Sequence, residues 1–390
     1  SPSRPSDYSI AMSTELKNVV IVGASAAGAT AARALVKSLP ATHRIVLIDS
    51  DEQVFYPVAA LRAAVVPGWE DKVFFPLNSF FGPSDKTRHI VRSGTRVVEI
   101  SNTDVLVKTL SGEEERISFE YAILATGSTY PAPARAGSPK TAEAKAALQK
   151  LQAQVKDAKS VLIVGGGEVG VEFAGEIQAV YPSKKITLVS RSEQLISKST
   201  PIGLHNKLNK QLQALGVQVL LADSVDLPEG TQTGTLDEPR SFTSKNGTSI
   251  ADVDFVVVAT GTKPIADLFA KADPASVVDG QAKVNHATLR ADSAVLTNWF
   301  AAGDVAALPG NKTLVNALGG GNTAAANVAS LIKGGKDNAK SFGAMNVTLV
   351  PLGTQGGASS IFGWVLGEWV TSLIKGKTLF VSKNEALYKA

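Results

Sequence analysis

Val19-Val20-Ile21-Val22-Gly23-Ala24-Ser25-Ala26-Ala27-Gly28 is the stretch that decides the fold. Four consecutive β-branched residues read as a strand buried on both faces, as in a parallel sheet. Gly23 and Gly28 bracket a tight turn, and the Ala-rich run from Ala26 to Lys37 reads as a helix. The pattern returns about 140 residues later as Val161-Leu162-Ile163-Val164-Gly165-Gly166-Gly167-Glu168-Val169-Gly170. Strand, Gly turn and helix in that order aim backbone N–H groups and a helix N-terminus at a pyrophosphate. One such turn is a weak signal. Two in one chain point to an enzyme that holds two dinucleotides, most economically a flavin that takes hydride from a nicotinamide.

The strand after each turn carries the next signal. Arg44-Ile45-Val46-Leu47-Ile48 ends at Asp49, 21 residues past Gly28. An acid there accepts hydrogen bonds from an adenosine ribose. The second copy, Lys185-Ile186-Thr187-Leu188-Val189, ends instead in Ser190-Arg191. An Arg at that point pairs with a ribose 2′-phosphate, so NADPH is expected, alone or beside NADH. Each unit closes on a short apolar strand ending in Ala-Thr-Gly: Ala125-Thr126-Gly127 and Ala259-Thr260-Gly261. Trp299-Phe300-Ala301-Ala302-Gly303-Asp304 delivers an acid at a strand's carboxyl end, suited to a polyol such as a ribityl chain.

Composition narrows the chemistry. The 390 residues favour two or three domains, and 44% hydrophobic content supports a sizeable core. There is no cysteine, which removes redox disulfides, thiolate metal sites and iron–sulfur clusters together. His43, His89, His205 and His286 lack metal-ligand spacing, so no metal is expected. A net charge of +4 without a clustered Lys/Arg run argues against nucleic acid. Neither a spanning helix nor a signal peptide is expected, which suits an intracellular protein, cytoplasmic or peripheral to a membrane.

In this order the pieces resemble the two-dinucleotide-binding flavoprotein superfamily. Within it, the chain is similar to the apoptosis-inducing-factor-like and ferroptosis-suppressor family of FAD-dependent NAD(P)H:quinone oxidoreductases. Narrower matches are Pro57-Val58-Ala59-Ala60-Leu61-Arg62-Ala63 and Thr378-Leu379-Phe380-Val381-Ser382. The resemblance implies an α/β fold with two Rossmann-like dinucleotide-binding domains and a small C-terminal α+β domain. The FAD domain, 18–135 and 264–340, is split around an NAD(P)H domain at 136–263. The C-terminal domain is 341–390, and residues 1–17 are a disordered or appended tail.

It also implies a site. Gly23, Ser25, Ala27, Gly28, Asp49, Ser50, Arg62, Val98, Ala125, Thr126, Gly127, Gly303, Asp304, Lys312, Thr313 and Leu314 are expected to hold FAD. Gly165, Gly167, Glu168, Val169, Gly170, Ser190, Arg191 and Gly261 are expected to hold the nicotinamide dinucleotide. Glu172 and Lys375 are the expected catalytic pair, meeting where nicotinamide and flavin touch, and Tyr56 is expected near the flavin ring. Ser25 departs from the family glycine. Its Cβ restricts backbone approach, although its hydroxyl can donate to a phosphate. Some relatives carry an N-terminal glycine that can be myristoylated, whereas Ser13 follows Met12 here.

Ile361–Ile374 reads as a helix with Phe362, Val365, Leu366, Trp369 and Leu373 on one face. Core packing, a homodimer contact and peripheral membrane contact through 361–377 all remain open for it. A quinone is the expected acceptor. The alternatives are a small electron-carrier protein, or a redox-sensing, nucleic-acid-binding role like that of apoptosis-inducing factor.

Overall fold

The computed structural model describes residues 15–135 and 137–389. Most of the expected tail therefore lies outside the described residues. Lys17 does not belong to a tail, because it begins the first strand, Lys17–Val22.

That strand is central to a five-stranded parallel sheet. Its neighbours are His43–Ile48 and Tyr121–Leu124, flanked by Ile90–Arg92 and Trp299–Ala301. Val19, Val20 and Ile21 are wholly buried, as a strand covered on both faces requires. The Ala-rich helix Ala26–Ser38 crosses from the first strand to the second and packs on the long helix Leu314–Ile332. Small residues allow this close packing. A Cβ on Gly321 would sit 2.2 Å from the carbonyl oxygen of Ala27.

The second sheet repeats the plan. Ser160–Val164 pairs in parallel with Lys185–Val189 and with Ser249–Val258, and Val217–Leu220 extends one side. Gly234–Thr243 closes the other side as an antiparallel edge. In both sheets the strand order reverses beside the first strand, which opens a crevice at the strands' carboxyl ends. The chain leaves the first sheet through Ser128–Thr129 and returns through Lys263–Pro264, and these two segments pair antiparallel.

The C-terminal region differs from the sequence expectation. Residues 361–374 are not one helix. Val347–Leu352, Gly356–Ile361 and Trp364–Leu366 form an antiparallel sheet. Phe362 (φ 51°) and Gly363 (φ 88°) make the connecting turn. Two successive positive φ values match the twist of a tight hairpin, and glycine favours them. Gly367 then caps a short helix, Glu368–Thr371, which runs into a π-helical turn, Ser372–Gly376. The helical spacing of the apolar residues was coincidental, because a glycine interrupts it twice. A last helix, Val381–Tyr388, packs on the first Gly-rich helix. No helix among the described residues is long and apolar enough to cross a membrane.

Candidate functional site

The two Gly turns are built alike. Gly23 has φ 99° and Gly165 has φ 128°, and a Cβ on either would lie 2.4 Å from a carbonyl oxygen, that of Ala125 or Ala259. The Ala-Thr-Gly strands are therefore the floors against which the turns close. Gly28 and Gly170 play a second part. Their Cβ atoms would come within 1.8 and 2.0 Å of the carbonyl oxygens of Gly23 and Gly165, so only glycine lets each helix start this close to its strand.

Ser25 occupies the middle position of the first turn with φ −73° and ψ −168°, and Gly167 occupies it in the second with φ −77° and ψ −176°. Any residue adopts this extended backbone, so Ser25 brings no strain. Its hydroxyl caps no helix N–H.

A cavity of about 600 Å³ runs along the first turn and reaches the second helix. Gly23, Ser25, Ala27, Asp49, Ser50, Val98, Ala125, Thr126 and Gly127 line it from the first unit. Gly303, Asp304, Lys312, Thr313 and Leu314 line it from the returning segment, and Glu168, Val169, Glu172 and Lys375 from its far end.

The acids around it have distinct environments. Asp49 accepts the backbone N–H of Ala24 at 2.6 Å and of Asp51 at 3.0 Å, which fixes the turn. Burial, with Asp51 nearby, pushes its carboxyl up to about 6. Asp304 accepts the Tyr130 hydroxyl at 2.9 Å, and burial raises its pKa while Tyr130 and Lys312 pull it back. At the far end the Lys375 ammonium donates to Glu172 at 2.7 Å and to the Leu349 carbonyl at 2.9 Å. Burial lifts Glu172 to about 7 despite that partner. The π-helical turn carries Lys375, a distortion often found where a side chain must be aimed.

Several expected residues lie elsewhere. Arg62 is not a cofactor ligand in this geometry. It is buried and donates twice to Glu176, at 2.9 and 2.7 Å, and once to the Lys377 carbonyl at 3.2 Å. A buried guanidinium needs a carboxylate partner, and the protein itself supplies one. Gly28 packs behind the cavity wall. Gly165, Gly167, Gly170, Ser190, Arg191 and Gly261 follow the carboxyl ends of the second sheet's inner strands, outside the cavity. Arg191 is exposed and makes no ion pair among the described residues. Tyr56 lines the cavity, and its hydroxyl donates to the Leu379 carbonyl at 3.0 Å.

Tyr130, Asp51 and Phe380 are among the lining residues to which the sequence assigned no role. Tyr130 stands at the start of a Pro-containing stretch, just after the first Ala-Thr-Gly strand. Asp51 lies two residues beyond Asp49. Phe380, within the Thr378–Ser382 segment that carries part of the family resemblance, reaches the cavity on a left-handed backbone (φ 58°).

The arrangement fits FAD. Half-buried carboxylates at Asp49 and Asp304 suit hydroxyl-rich ribose and ribityl groups, and Gly127 leaves open space that a Cβ would enter. A family model described as pyridine nucleotide-disulphide oxidoreductase matches residues 17–330. The chain belongs to that family. Its members use FAD and NAD(P)H, and the chain is an oxidoreductase of this kind. Absence of cysteine leaves it no disulphide of its own.

Apoptosis-inducing factor homolog A of Dictyostelium discoideum is 30% identical, over 96% of this chain and 92% of that one. Ferroptosis suppressor protein 1 of Homo sapiens is 30% identical, over 94% of each. A NAD-dependent persulfide reductase from A. fulgidus shares the fold with a TM-score of 0.67 at 19% identity, over 88% of this chain. This chain spans 64% of that protein's length. A ferredoxin reductase from Rhodopseudomonas palustris gives 0.66 at 19%, over 85% of this chain and 79% of that one. Among the described residues no cluster of His, Cys, Asp or Glu is arranged to hold a metal.

Proposed function

We propose that the protein is an FAD-dependent NAD(P)H:quinone oxidoreductase. The observation that carries this reading is the Glu172–Lys375 pair. It joins the nicotinamide-type helix to the C-terminal region at the end of the flavin-type cavity. FAD, when bound, supplies the carrier that takes a hydride and gives up electrons. The chain's part is positioning. Gly23 and Ser25 offer backbone and hydroxyl donors to the pyrophosphate, Asp49 and Asp304 bind hydroxyls, and Glu172 with Lys375 shapes the reacting end. The same reading divides the chain into an FAD unit at 18–135 and 264–340, an inserted NAD(P)H unit at 136–263 and a C-terminal unit at 341–390.

A lipid-soluble acceptor is supported by the C-terminal region. Val347 and Leu349, which line the cavity, belong to the sheet whose hairpin exposes Phe362 and Trp364. Trp364 is 77% exposed and Trp369 76%, an unusual display for tryptophan. Aromatic side chains of this kind settle at a bilayer's headgroup level, where a quinone would be collected.

The test is anaerobic mixing with NADPH, followed by a short-chain ubiquinone. The flavin band should bleach and then return. A band that stays bleached with quinone overturns the quinone assignment. The membrane reading predicts that vesicles carry the protein upward in a density gradient and that Trp364→Ala with Trp369→Ala abolishes this. Vesicle-independent self-association through the same residues would overturn it.

A further inference from the structure

Glu168 is the first residue of the helix Glu168–Val180, capped by Gly167. Its side chain lines the cavity and accepts no hydrogen bond from the described residues. Helical spacing puts it on the same face as Glu172, one turn away. A structural acid at a helix N-terminus would be expected to point to solvent or to cap neighbouring N–H groups. Glu168 faces the cavity instead.

We propose that Glu168 is the proton donor to the acceptor, a role separate from that of the Glu172–Lys375 pair. The inference rests on the quinone reading above. Overall, one quinone takes the hydride of one nicotinamide and one further proton to become a hydroquinone. The hydride brings both electrons, so the second hydroxyl hydrogen arrives as a proton, and the assignment draws it from a protein acid that water recharges. In this assignment the O–H bond of protonated Glu168 breaks, its proton goes to a quinone oxygen, and the carboxylate takes a proton back from water at the cavity mouth.

The surrounding charges suit that duty. Lys375 approaches from the π-helical turn, and Glu172 lies on the same helix. Asp304 and Lys312 come from the segment after Trp299–Ala301, and Tyr130 from the segment after Ala-Thr-Gly. Glu172 has an ammonium bonded to it and is committed to that ion pair. Asp304 is engaged by Tyr130. Glu168 alone of the three acids has no partner among the described residues, so its proton is free to move. Burial and Asp304 hold its carboxyl above the ordinary range, and Lys375 offsets part of this. A carboxyl raised in this way holds its proton to a higher pH than a free glutamate does.

The test compares two acceptors. Ferricyanide takes electrons without protons, whereas ubiquinone needs both. In Glu168→Gln holoenzyme supplied with NADPH, the ratio of ubiquinone to ferricyanide turnover should fall about tenfold or more, since a positioned acid contributes on that scale. Glu168→Asp should recover part of the ratio. Infrared spectra of the FAD-free protein give a second readout. A protonated-carboxyl band should persist above the ordinary glutamate range in the parent and weaken in Glu168→Gln. An unchanged turnover ratio, or an unchanged band, overturns the assignment while leaving the quinone reading standing. Ferricyanide reduction without any ubiquinone reduction by the parent protein overturns the quinone reading, and this inference with it.

Discussion

Single residues set the two features of this site that an experiment can separate, cofactor choice and charge. Arg191 stands exposed, with no ion pair among the described residues, where an acid would repel a 2′-phosphate. Arg191→Ala should therefore weaken NADPH binding about tenfold or more, the scale of one charge-assisted hydrogen bond, and leave NADH little changed. Titrations of each dinucleotide would show the selective loss. Glu172 sets the charge behaviour. Its carboxyl titrates at about 7 in the folded protein, against 4.5 for an ordinary glutamate. Between those values the native state keeps a proton that the unfolded chain has released. Stability from this group is therefore present at low pH and is lost as pH rises through that window. In FAD-free protein, Glu172→Gln should flatten the fall in denaturation midpoint between pH 5 and pH 8. An equally steep fall in the variant would refute this. Asp49 and Asp304 were legible as cavity-lining acids because each follows the carboxyl end of a short apolar strand, Asp49 also at a set distance from a Gly turn. Arg62 was misread because a sequence cannot show that Glu176, far along the chain, would claim its guanidinium.

Elements were legible where their period was unambiguous. Both strand–turn–helix units carry continuous apolar runs and glycines whose Cβ atoms would collide with backbone, so pattern and structure agree there. The C-terminal region failed for the opposite reason. Phe362, Val365, Leu366 and Trp369 fit a helical period only if Gly363 and Gly367 are ignored, and the turn chemistry prevailed. The last helix, Val381–Tyr388, has a role that no periodicity could reveal. The Tyr388 hydroxyl donates to the Ala24 carbonyl at 3.0 Å, and its ring stacks on Phe75 at 5.2 Å. The Arg33 guanidinium donates to the Leu387 carbonyl at 2.8 Å. The end of the chain thus braces the first Gly turn from behind. Tyr388→Phe should cost about 1 kcal/mol, the value of one buried hydrogen bond, and should speed FAD loss on dilution. Thermal melts and flavin fluorescence of the diluted protein would measure both effects.

At the scale of the whole molecule, a buried ion pair ties three parts of the chain together. Arg62 comes from the first unit, Glu176 from the second unit's Gly-rich helix, and the Lys377 carbonyl from the C-terminal region. Arg62→Ala would strand a buried carboxylate and should cost about 3–5 kcal/mol in denaturant unfolding. Replacing both partners with apolar residues, Arg62→Met with Glu176→Leu, should recover most of that loss. If the double variant is as unstable as the single one, the contact contributes through shape rather than charge. A different consequence follows from the two connecting segments, where Thr129 lies directly opposite Lys263. The intervening hundred-odd residues begin and end at one point in space, like a drawer with a single rail. Such a block can be exchanged between relatives without stretching either flank. Evolution could retune which nicotinamide is read while inheriting the flavin half, and a protein engineer could graft at the same seam, provided the incoming block keeps the acids that meet Arg62 and Lys375.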